Sequence, residues 1–393
     1  NTNAFDMIMG ASYRLYDPNS YGSIFSDTIL NPGDTLSDGS LNLDAEFADI
    51  SVYEFGAFSQ ISKRFCDDKL KLTVSARVDK SKNYDFQYSP RLSAVYTVKD
   101  HNFRFSAQQA FRSPTLQNQY LLLDIGPIIL SGNLNGASNM YTYASVVDFM
   151  DKYNTSYEVD ESLLETLSID PIKPEQLRSF EFGYRGILDE GFYVDMGVYY
   201  NIYSNFIGNI RGYKLLGDVV AGEETGVDAL LTHTSEQPNY ELYQYPVNAK
   251  EEVISYGGSV GLVYYFNKNY SAKANFTYSE IDTSALTDPI IPGYNTPRHK
   301  LNFGVMAKDI FDGWGMSLDY KWSQGFLWES PFGDGDVPQF AVLDAQVRYR
   351  YKEWNSMFKI GASNLLNNKH IEAFGGPTVG RLFYISWTYD FIN

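Results

Sequence analysis

A serine flanked by glycines is the first candidate for chemistry in this sequence. The stretch 257–261 reads Gly-Gly-Ser-Val-Gly and matches the G-x-S-x-G pattern of a nucleophile elbow around Ser259. That pattern activates a serine only where a strained turn leads from a strand into a helix. Here it lies inside a long alternating run, so we expect Ser259 and its glycines to fill the inner face of a strand.

Metal-binding patterns are weak. The histidines form no H-E-x-x-H pair and fall in turns or loops. The single cysteine, Cys66, excludes an intrachain disulfide and a cysteine-based metal site. Asp334 and Asp336 share a loop, but the D-x-D-x-D-G spacing of a calcium loop is incomplete. They are weak candidates for a hard cation. No cofactor is predicted, and the chain is not predicted to be an enzyme.

The charge balance excludes a general nucleic-acid binder. The chain has 31 Lys plus Arg against 48 Asp plus Glu, a formal charge of −17, so it lacks the basic face that phosphates require. No apolar run approaches the roughly 20 residues of a membrane-spanning helix, which excludes a helical membrane protein. Aromatic residues make up 16% of the chain, with 32 Tyr and 26 Phe. That excess needs a structural reason.

The elements that would position functional side chains are long strands. Phe192, Val194, Met196 and Val198 alternate with polar neighbours, and the run 381–391 alternates in the same way. Successive side chains of a strand point to opposite faces, so each run has one apolar and one polar face. These runs extend over about 10 to 14 residues, whereas strands in soluble proteins cluster near 5 to 6.

The strand pattern predicts an all-β fold, a transmembrane antiparallel barrel in a bacterial outer membrane. Short polar turns alternate with long connections, and aromatic residues have a place in the girdles at the two membrane interfaces. Fourteen strands are predicted, near 5–16, 51–64, 69–80, 90–99, 102–112, 176–188, 191–204, 252–266, 270–281, 298–308, 314–325, 339–351, 355–366 and 380–391. Backbone groups inside lipid must all be paired, so the sheet must close.

Several motifs then resemble a known family, the TonB-dependent outer-membrane receptors. The resemblance covers nearly the whole chain, and the general character of the loop sequences is most similar to that of receptors of Bacteroidota. The motifs are, in order, Arg77-Val78-Asp79, Ser89-Pro90-Arg91, Phe111-Arg112-Ser113-Pro114-Thr115, Lys173-Pro174-Glu175, Phe180-Glu181-Phe182-Gly183-Tyr184-Arg185, the stretch 296–302, the stretch 361–369 and the closing run 380–391.

The resemblance implies a protein larger than this chain. Such receptors have a 22-strand barrel preceded by a plug and a short box that engages TonB. Residues 1–393 are therefore interpreted as one domain, about the last fourteen strands of such a barrel, with the plug not in this chain. The alternative is a complete fourteen-strand passive channel, similar to porins or fatty-acid transporters. The two interpretations differ in whether 5–16 pairs with 380–391.

Recognition is expected at the inner wall and in the long loops. Six inward side chains could contact a ligand or the plug, with plug contact favoured: Arg104, Gln108, Arg112, Tyr199, Asn201 and Tyr203. Loops concentrate binding residues on rigid scaffolds. The loops 113–175 and 205–250 are acidic, which suits a solvated surface or a preference for cationic or neutral ligands.

Function and partners follow from the resemblance. It implies active uptake of a scarce nutrient such as a metal chelate, a peptide or a glycan. The energy would come from a TonB–ExbB–ExbD complex acting through the plug. Outer-membrane lipid and lipopolysaccharide would surround the barrel, and a surface lipoprotein could be a further partner. No nucleic acid is expected.

Overall fold

The long alternating runs form one antiparallel sheet. The computed structural model describes residues 5–20, 22–27, 50–234, 238–330 and 333–391. In chain order its strands are β1 (Asp6–Tyr16), β2 (Val52–Phe65), β3 (Leu70–Ser81), β4 (Gln87–Val98), β5 (His101–Arg112), β6 (Leu122–Asp124), β7 (Ile129–Ser131), β8 (Ala137–Thr142), β9 (Thr166–Ile169), β10 (Glu175–Asp189), β11 (Phe192–Ser204), β12 (Ile207–Leu215), β13 (Tyr240–Asn248), β14 (Val253–Tyr265), β15 (Tyr270–Asp282), β16 (His299–Ala307), β17 (Trp314–Ser323), β18 (Phe326–Trp328), β19 (Gly335–Val337), β20 (Phe340–Tyr351), β21 (Ser356–Ser363) and β22 (Leu382–Tyr389).

Helices are few. They are α1 (Leu116–Tyr120), α2 (Tyr143–Ser156) and α3 (Glu224–Leu231), with two short 3₁₀ turns at Glu161–Leu163 and Lys352–Trp354. Among the described residues, no helix has both the length and the apolar character needed to span a membrane.

The main sheet contains all fourteen predicted strands, each within a few residues of its expected bounds. Its order is β1-β2-β3-β4-β5-β10-β11-β14-β15-β16-β17-β20-β21-β22, so every strand pairs with the next of the set. Tight turns join the strands at one rim. At Gly191 a φ of +87° lets the chain reverse between β10 and β11, a conformation that few residues other than glycine adopt.

The sheet is not closed. Strands β1 and β22 are its two edges, and within the described residues they do not pair with each other. A complete fourteen-strand channel needs that ladder, because an open edge leaves a row of unpaired N–H and C=O groups in hydrocarbon. The predicted strands and fold class are confirmed, whereas closure of these strands alone into a barrel does not occur.

Long connections between strands are folded, which the sequence analysis did not predict. Strands β6, β7, β13, β12, β8 and β9 form a second sheet from parts of the segments 113–175 and 205–250, and β18 pairs with β19 in a small hairpin. Buried side chains of this unit form two apolar clusters, one around Met140 and Tyr245 and one around Phe149 and Leu230. We call this part of the structure the loop domain. Glu236 and residues 28–49 of the expected loops lie outside the described residues.

The loop domain grows directly out of the main sheet. Strands β12 and β13 continue the hairpin of β11 and β14 past a left-handed residue, Asn205, with a φ of 53°. Asn248 fixes this junction. Its amide nitrogen donates to the carbonyls of Lys173 and Asn205 at 2.9 Å each, and its oxygen accepts from the Lys173 N–H at 2.7 Å. Every one of these bonds ties β13 to the chain entering β10 or leaving β11.

The alternation in the sequence predicts that six side chains of β10 and β11 face lipid, and the structure confirms this in part: Phe180, Phe182, Tyr184, Val194, Met196 and Val198. Phe180, Phe182, Met196 and Val198 are exposed on the outer face, by as much as 58% for Val198. Tyr184 and Val194 share that face by alternation but are only 8% and 6% exposed. The Tyr184 hydroxyl lies 2.8 Å from His101 Nδ1, and its ring covers Gly186, the residue that pairs with Val194. These two side chains are therefore covered by the sheet's own neighbours, which corrects the prediction that lipid covers them.

The facing of β11 can be tested with arginine. Val198→Arg should lower the free energy of unfolding by about 2 to 4 kcal/mol, because it places a charge in the hydrocarbon. Asn201→Arg, three residues along the same strand, should cost much less because that position faces the polar interior. Urea unfolding of the full-length protein in lipid vesicles measures both. Equal tolerance of the two arginines would contradict the assigned facing.

Candidate functional site

The six predicted site residues lie on one inner wall. Arg104, Gln108 and Arg112 are on β5, and Tyr199, Asn201 and Tyr203 are on β11, with β10 between the two strands. The register places them level with one another: Gln108 pairs with Ser179, which pairs with Asn201. Their gathering on one wall follows from the strand order.

Charges on this wall are paired within it. Arg104 contacts Asp195 at 3.0 Å, and Arg185 lies 3.7 Å from the same carboxylate. Arg112 contacts Glu175 at 2.9 Å, and Glu175, which is buried, also accepts from the Ile207 N–H. The arginines thus have partners in the sheet itself. The wall presents a polar but largely neutral surface.

Hydroxyl and amide groups continue the wall on β14. Asn201 Nδ2 donates to Ser255 Oγ at 3.2 Å, and Ser255 Oγ lies 3.5 Å from the Tyr203 hydroxyl. Ser259 sits in mid-strand, paired with Gly197 and Thr277. It is not on a strand-to-helix turn, so the geometry of a nucleophile elbow is not formed there.

Inward glycines let long side chains cross a strand, which the sequence analysis missed. Each of these side chains passes over a glycine to reach a polar partner two strands away: Arg77 over Gly56 to Ser12 at 3.3 Å, Arg104 over Gly183 to Asp195 at 3.0 Å, Lys273 over Gly304 to Asp319 at 2.7 Å, and Tyr384 over Gly361 to Gln346 at 2.9 Å. A Cβ at Gly304 would lie only 2.5 Å from Lys273 Cε. The available signal was an inward glycine inside a strand, which often marks close approach of other atoms.

Loops above this wall are held together by Arg211 of β12. We call the region where these loops meet the mouth, and the contacts that join them the lock. The Arg211 guanidinium donates to Gln244 Oε1 at 3.1 Å and to the Ser330 carbonyl at 3.0 Å, and it lies 3.5 Å from Asp334. These contacts join the loop domain to the loop that carries β18 and β19. Arg211 therefore fixes two separate loops relative to each other.

Two further contacts extend the lock. Asn295 and Glu329 exchange hydrogen bonds, Asn295 Nδ2 donating to the Glu329 carbonyl at 2.9 Å and the Glu329 N–H donating to Asn295 Oδ1 at 2.8 Å. The ring of Phe374 fills the space a side chain at Gly335 would occupy, with Phe374 Cε2 2.2 Å from the Cβ position there. The loop after β15 thus contacts the segment at Glu329, and the loop after β21 contacts Gly335 of β19.

Glu329 is a carboxyl group of the mouth whose pKa is shifted. Burial raises the pKa of its carboxyl above the ordinary 4.5, and the nearby Asp334 carboxylate adds to the shift, although the Gly293 N–H and Arg211 oppose it. A carboxyl of raised pKa binds a proton more readily in the folded mouth than in an unfolded chain. Its charged form therefore weakens the packing of the mouth at neutral pH.

Of the two weak metal candidates, Asp334 makes turn and loop contacts, and Asp336 is exposed. Asp334 accepts from the Ser330 N–H at 3.0 Å and faces Arg211. Within the described ranges, no three His, Cys, Asp or Glu side chains gather as a metal site would require. The geometry at Asp334 thus supplies a structural role for that carboxylate.

Comparison with known proteins decides the family. The family model described as TonB dependent receptor-like, beta-barrel, matches residues 1–365. The chain belongs to this family. No curated protein sequence matches the chain. Membership in the TonB-dependent receptors confirms the resemblance of the ordered motifs and places the chain in the outer membrane. Because these receptors are transporters, the prediction that the chain is not an enzyme is confirmed for the family.

Solved receptors share the fold at low sequence identity. The siderophore receptor PirA from Acinetobacter baumannii is 14% identical with a TM-score of 0.61, and the match covers 98% of this chain and 52% of that one. The FrpB iron transporter from Neisseria meningitidis (F3-3 variant) gives 13% identity, a TM-score of 0.63, and 98% and 52% coverage. The copper transporter OprC is 15% identical with a TM-score of 0.59, and the match covers 98% of this chain and 53% of that one. The chain spans about half the length of these receptors.

The glycine crossing of β10 makes a specific prediction. Gly183→Val should push Arg104 off Asp195, because a Cβ there would lie 3.1 Å from Arg104 Nε. The loss of this half-exposed ion pair should cost up to about 1 kcal/mol of unfolding free energy, measured by urea titration. Gly197→Val is the matched control. Gly197 is the cross-strand partner of Gly183, and a Cβ added there would have no neighbouring atom closer than the Phe182 carbonyl oxygen at 3.7 Å. An equal cost in an Arg104→Met background would show that Arg104 is not involved.

The mouth should become more stable as the pH falls. Because the pKa of Glu329 is raised, lowering the pH from neutral toward 4.5 protonates it in the folded mouth before it would in an unfolded one. The urea concentration that exposes Trp328 should therefore rise over this range. Glu329→Gln should flatten that dependence. Trp328 fluorescence measures it, with Trp328→Phe as the blank, and an unchanged slope in Glu329→Gln would refute the assignment.

Proposed function

We propose that this chain forms the C-terminal part of the barrel of an active outer-membrane transporter that takes up a scarce solute. The observation that carries the proposal is the open fourteen-strand sheet, in a chain that aligns over 98% of its length with about half of a solved receptor. The missing part of the wall, about eight strands, would close the barrel. It would bring the total to the 22 strands that the family resemblance implies.

The inner wall supports a plugged transporter. Its arginines are paired with carboxylates of the sheet, so the surface is polar and close to neutral. Such a surface suits the docking of a folded plug, whose own polar groups could be matched across it. Arg104, Gln108, Arg112, Tyr199, Asn201 and Tyr203 would contact the plug first and a passing ligand second. The plug would carry the coupling to TonB–ExbB–ExbD.

The mouth supports selective capture over free diffusion. Its loops are pinned to one another through Arg211, Asn295 and Phe374, which keeps them over the inner wall. A preorganised set of loops loses little conformational freedom when a ligand binds, so binding can be tight. A surface lipoprotein could dock on the acidic loop domain from outside.

The proposal can be tested without knowing the ligand. Full-length protein reconstituted into liposomes should give no swelling with arabinose, because a plug blocks passive flux. The same preparation should bind the purified C-terminal domain of TonB in a saturable manner. Rapid arabinose entry without TonB binding would instead indicate passive diffusion and refute the proposal.

A further inference from the structure

A cavity in the mouth combines aromatic rings with polar groups. It encloses about 420 Å³ between the upper inner wall of β16, β17 and β20 and the loops above it. That volume lies within the 300 to 1,000 Å³ of typical small-molecule sites. Its lining includes Phe326, Trp328, Phe340, Lys300, Asn302 and Asp344. None of these belongs to the predicted wall on β5 and β11.

The aromatic side is rigid. Phe326 and Trp328 are two residues apart on β18, so both rings lie on the same face, with centroids 6.3 Å apart. Phe340 stacks on His370 at 4.1 Å, and the side chain of His370 is only 7% exposed. The next residue after Trp328 is Glu329, whose backbone is held by Asn295. The rings therefore face the cavity from a fixed frame.

The opposite side offers hydrogen bonds. Lys321 contacts Asp344 at 2.8 Å, and the same carboxylate accepts from Ser363 Oγ at 3.0 Å. Asn302 is the cross-strand partner of Lys321. Among the described residues, no side-chain hydrogen bond or ion pair is made by Asn302 or Lys300, whose backbones are paired within the ladder of β16. An amide and an ammonium group are thus available to a ligand next to an already oriented ion pair.

The charge of the lining is balanced. Lys300 and Lys321 oppose Asp344 and Glu372, so two positive groups meet two negative ones. The adjoining loop adds Glu329, Asp334 and Asp336, which disfavour the approach of an anion. A neutral ligand does not experience this repulsion. It needs one apolar face for the rings and a rim of donors and acceptors for the polar side.

We propose that this cavity binds an uncharged sugar ring, with Phe326, Trp328 and Phe340 against its C–H face and Asn302, Lys300 and the Lys321–Asp344 pair at its hydroxyl rim. A pyranose has this division between an apolar face and a hydroxylated rim. The inference rests on the proposed function, since it names the substrate class of the same transporter. A sugar ligand would distinguish this chain from the FrpB iron transporter and the copper transporter OprC.

The first experiment is a binding screen. Detergent-solubilised full-length protein is applied to an array of neutral oligosaccharides, together with uronic-acid oligosaccharides and immobilised 2,3-dihydroxybenzoate. Retention on one or more neutral sugars is expected. Retention only on the acidic sugars or the aromatic acid, or on nothing, would overturn the inference.

Variants then place the binding in the cavity. Trp328→Ala and Asn302→Ala should each weaken the affinity for the retained oligosaccharide at least about tenfold, as loss of a contact to a desolvated ligand predicts. Trp354→Ala is the matched control, because that exposed tryptophan lies at the turn between β20 and β21. Asn302→Asp keeps the size of the side chain and removes its amide donor, so it separates loss of the contact from a folding defect. Each variant must still migrate as a folded, heat-resistant species in gel electrophoresis. Unchanged affinity in both cavity variants would refute the site.

The outcome is separable from that of the proposed function. If TonB binding and impermeability to arabinose hold while no neutral sugar binds, only the substrate class fails. If arabinose enters freely while the sugar still binds in the cavity, the transport mechanism fails and the site stands.

Discussion

Backbone pairing in hydrocarbon is the constraint on which the rest of this structure depends. Water is absent there, so each N–H and C=O must find a partner in a neighbouring strand. The consecutive antiparallel ladder from β1 to β22 provides those partners for all but its two edges. The ladder fixes the register, and because the side-chain period is two, the register decides which residues meet lipid and which meet the interior. The positions of the six candidate residues on β5 and β11 follow from this.

Inside the wall, the same register creates a packing problem that glycine solves. Side chains on neighbouring strands are close together, and long charged ones would project into the interior. An inward glycine leaves room for Arg104 or Lys273 to lie flat and reach a carboxylate two strands away. The wall is thereby flattened and its charges are neutralised. Arg104, which the sequence suggests for ligand contact, therefore also holds three strands together.

The sequence predicts the strands much better than the mouth. A period of two sustained over ten or more residues leaves no competing interpretation, so all fourteen main strands are found within a few residues. Strands β6, β7, β18 and β19 have three residues each, too few for a periodic pattern. The contact between Arg211 and Ser330 joins residues 119 positions apart. No local pattern encodes such a pair, so the lock and the cavity beside it are visible only in three dimensions.

Rigidity in the mouth and neutrality in the wall have a common consequence for transport. A wall whose ion pairs are internally satisfied has little energy to offer a passing solute, so it would not trap one on its way through. In the proposed transporter, strong binding would then occur where groups are preorganised but unsatisfied. Asn302 and Lys300 lie at that point, directly beneath loops held by Arg211 and Asn295. Capture at the mouth and weak contact below it are what a carrier needs if energy from outside the barrel is to drive release.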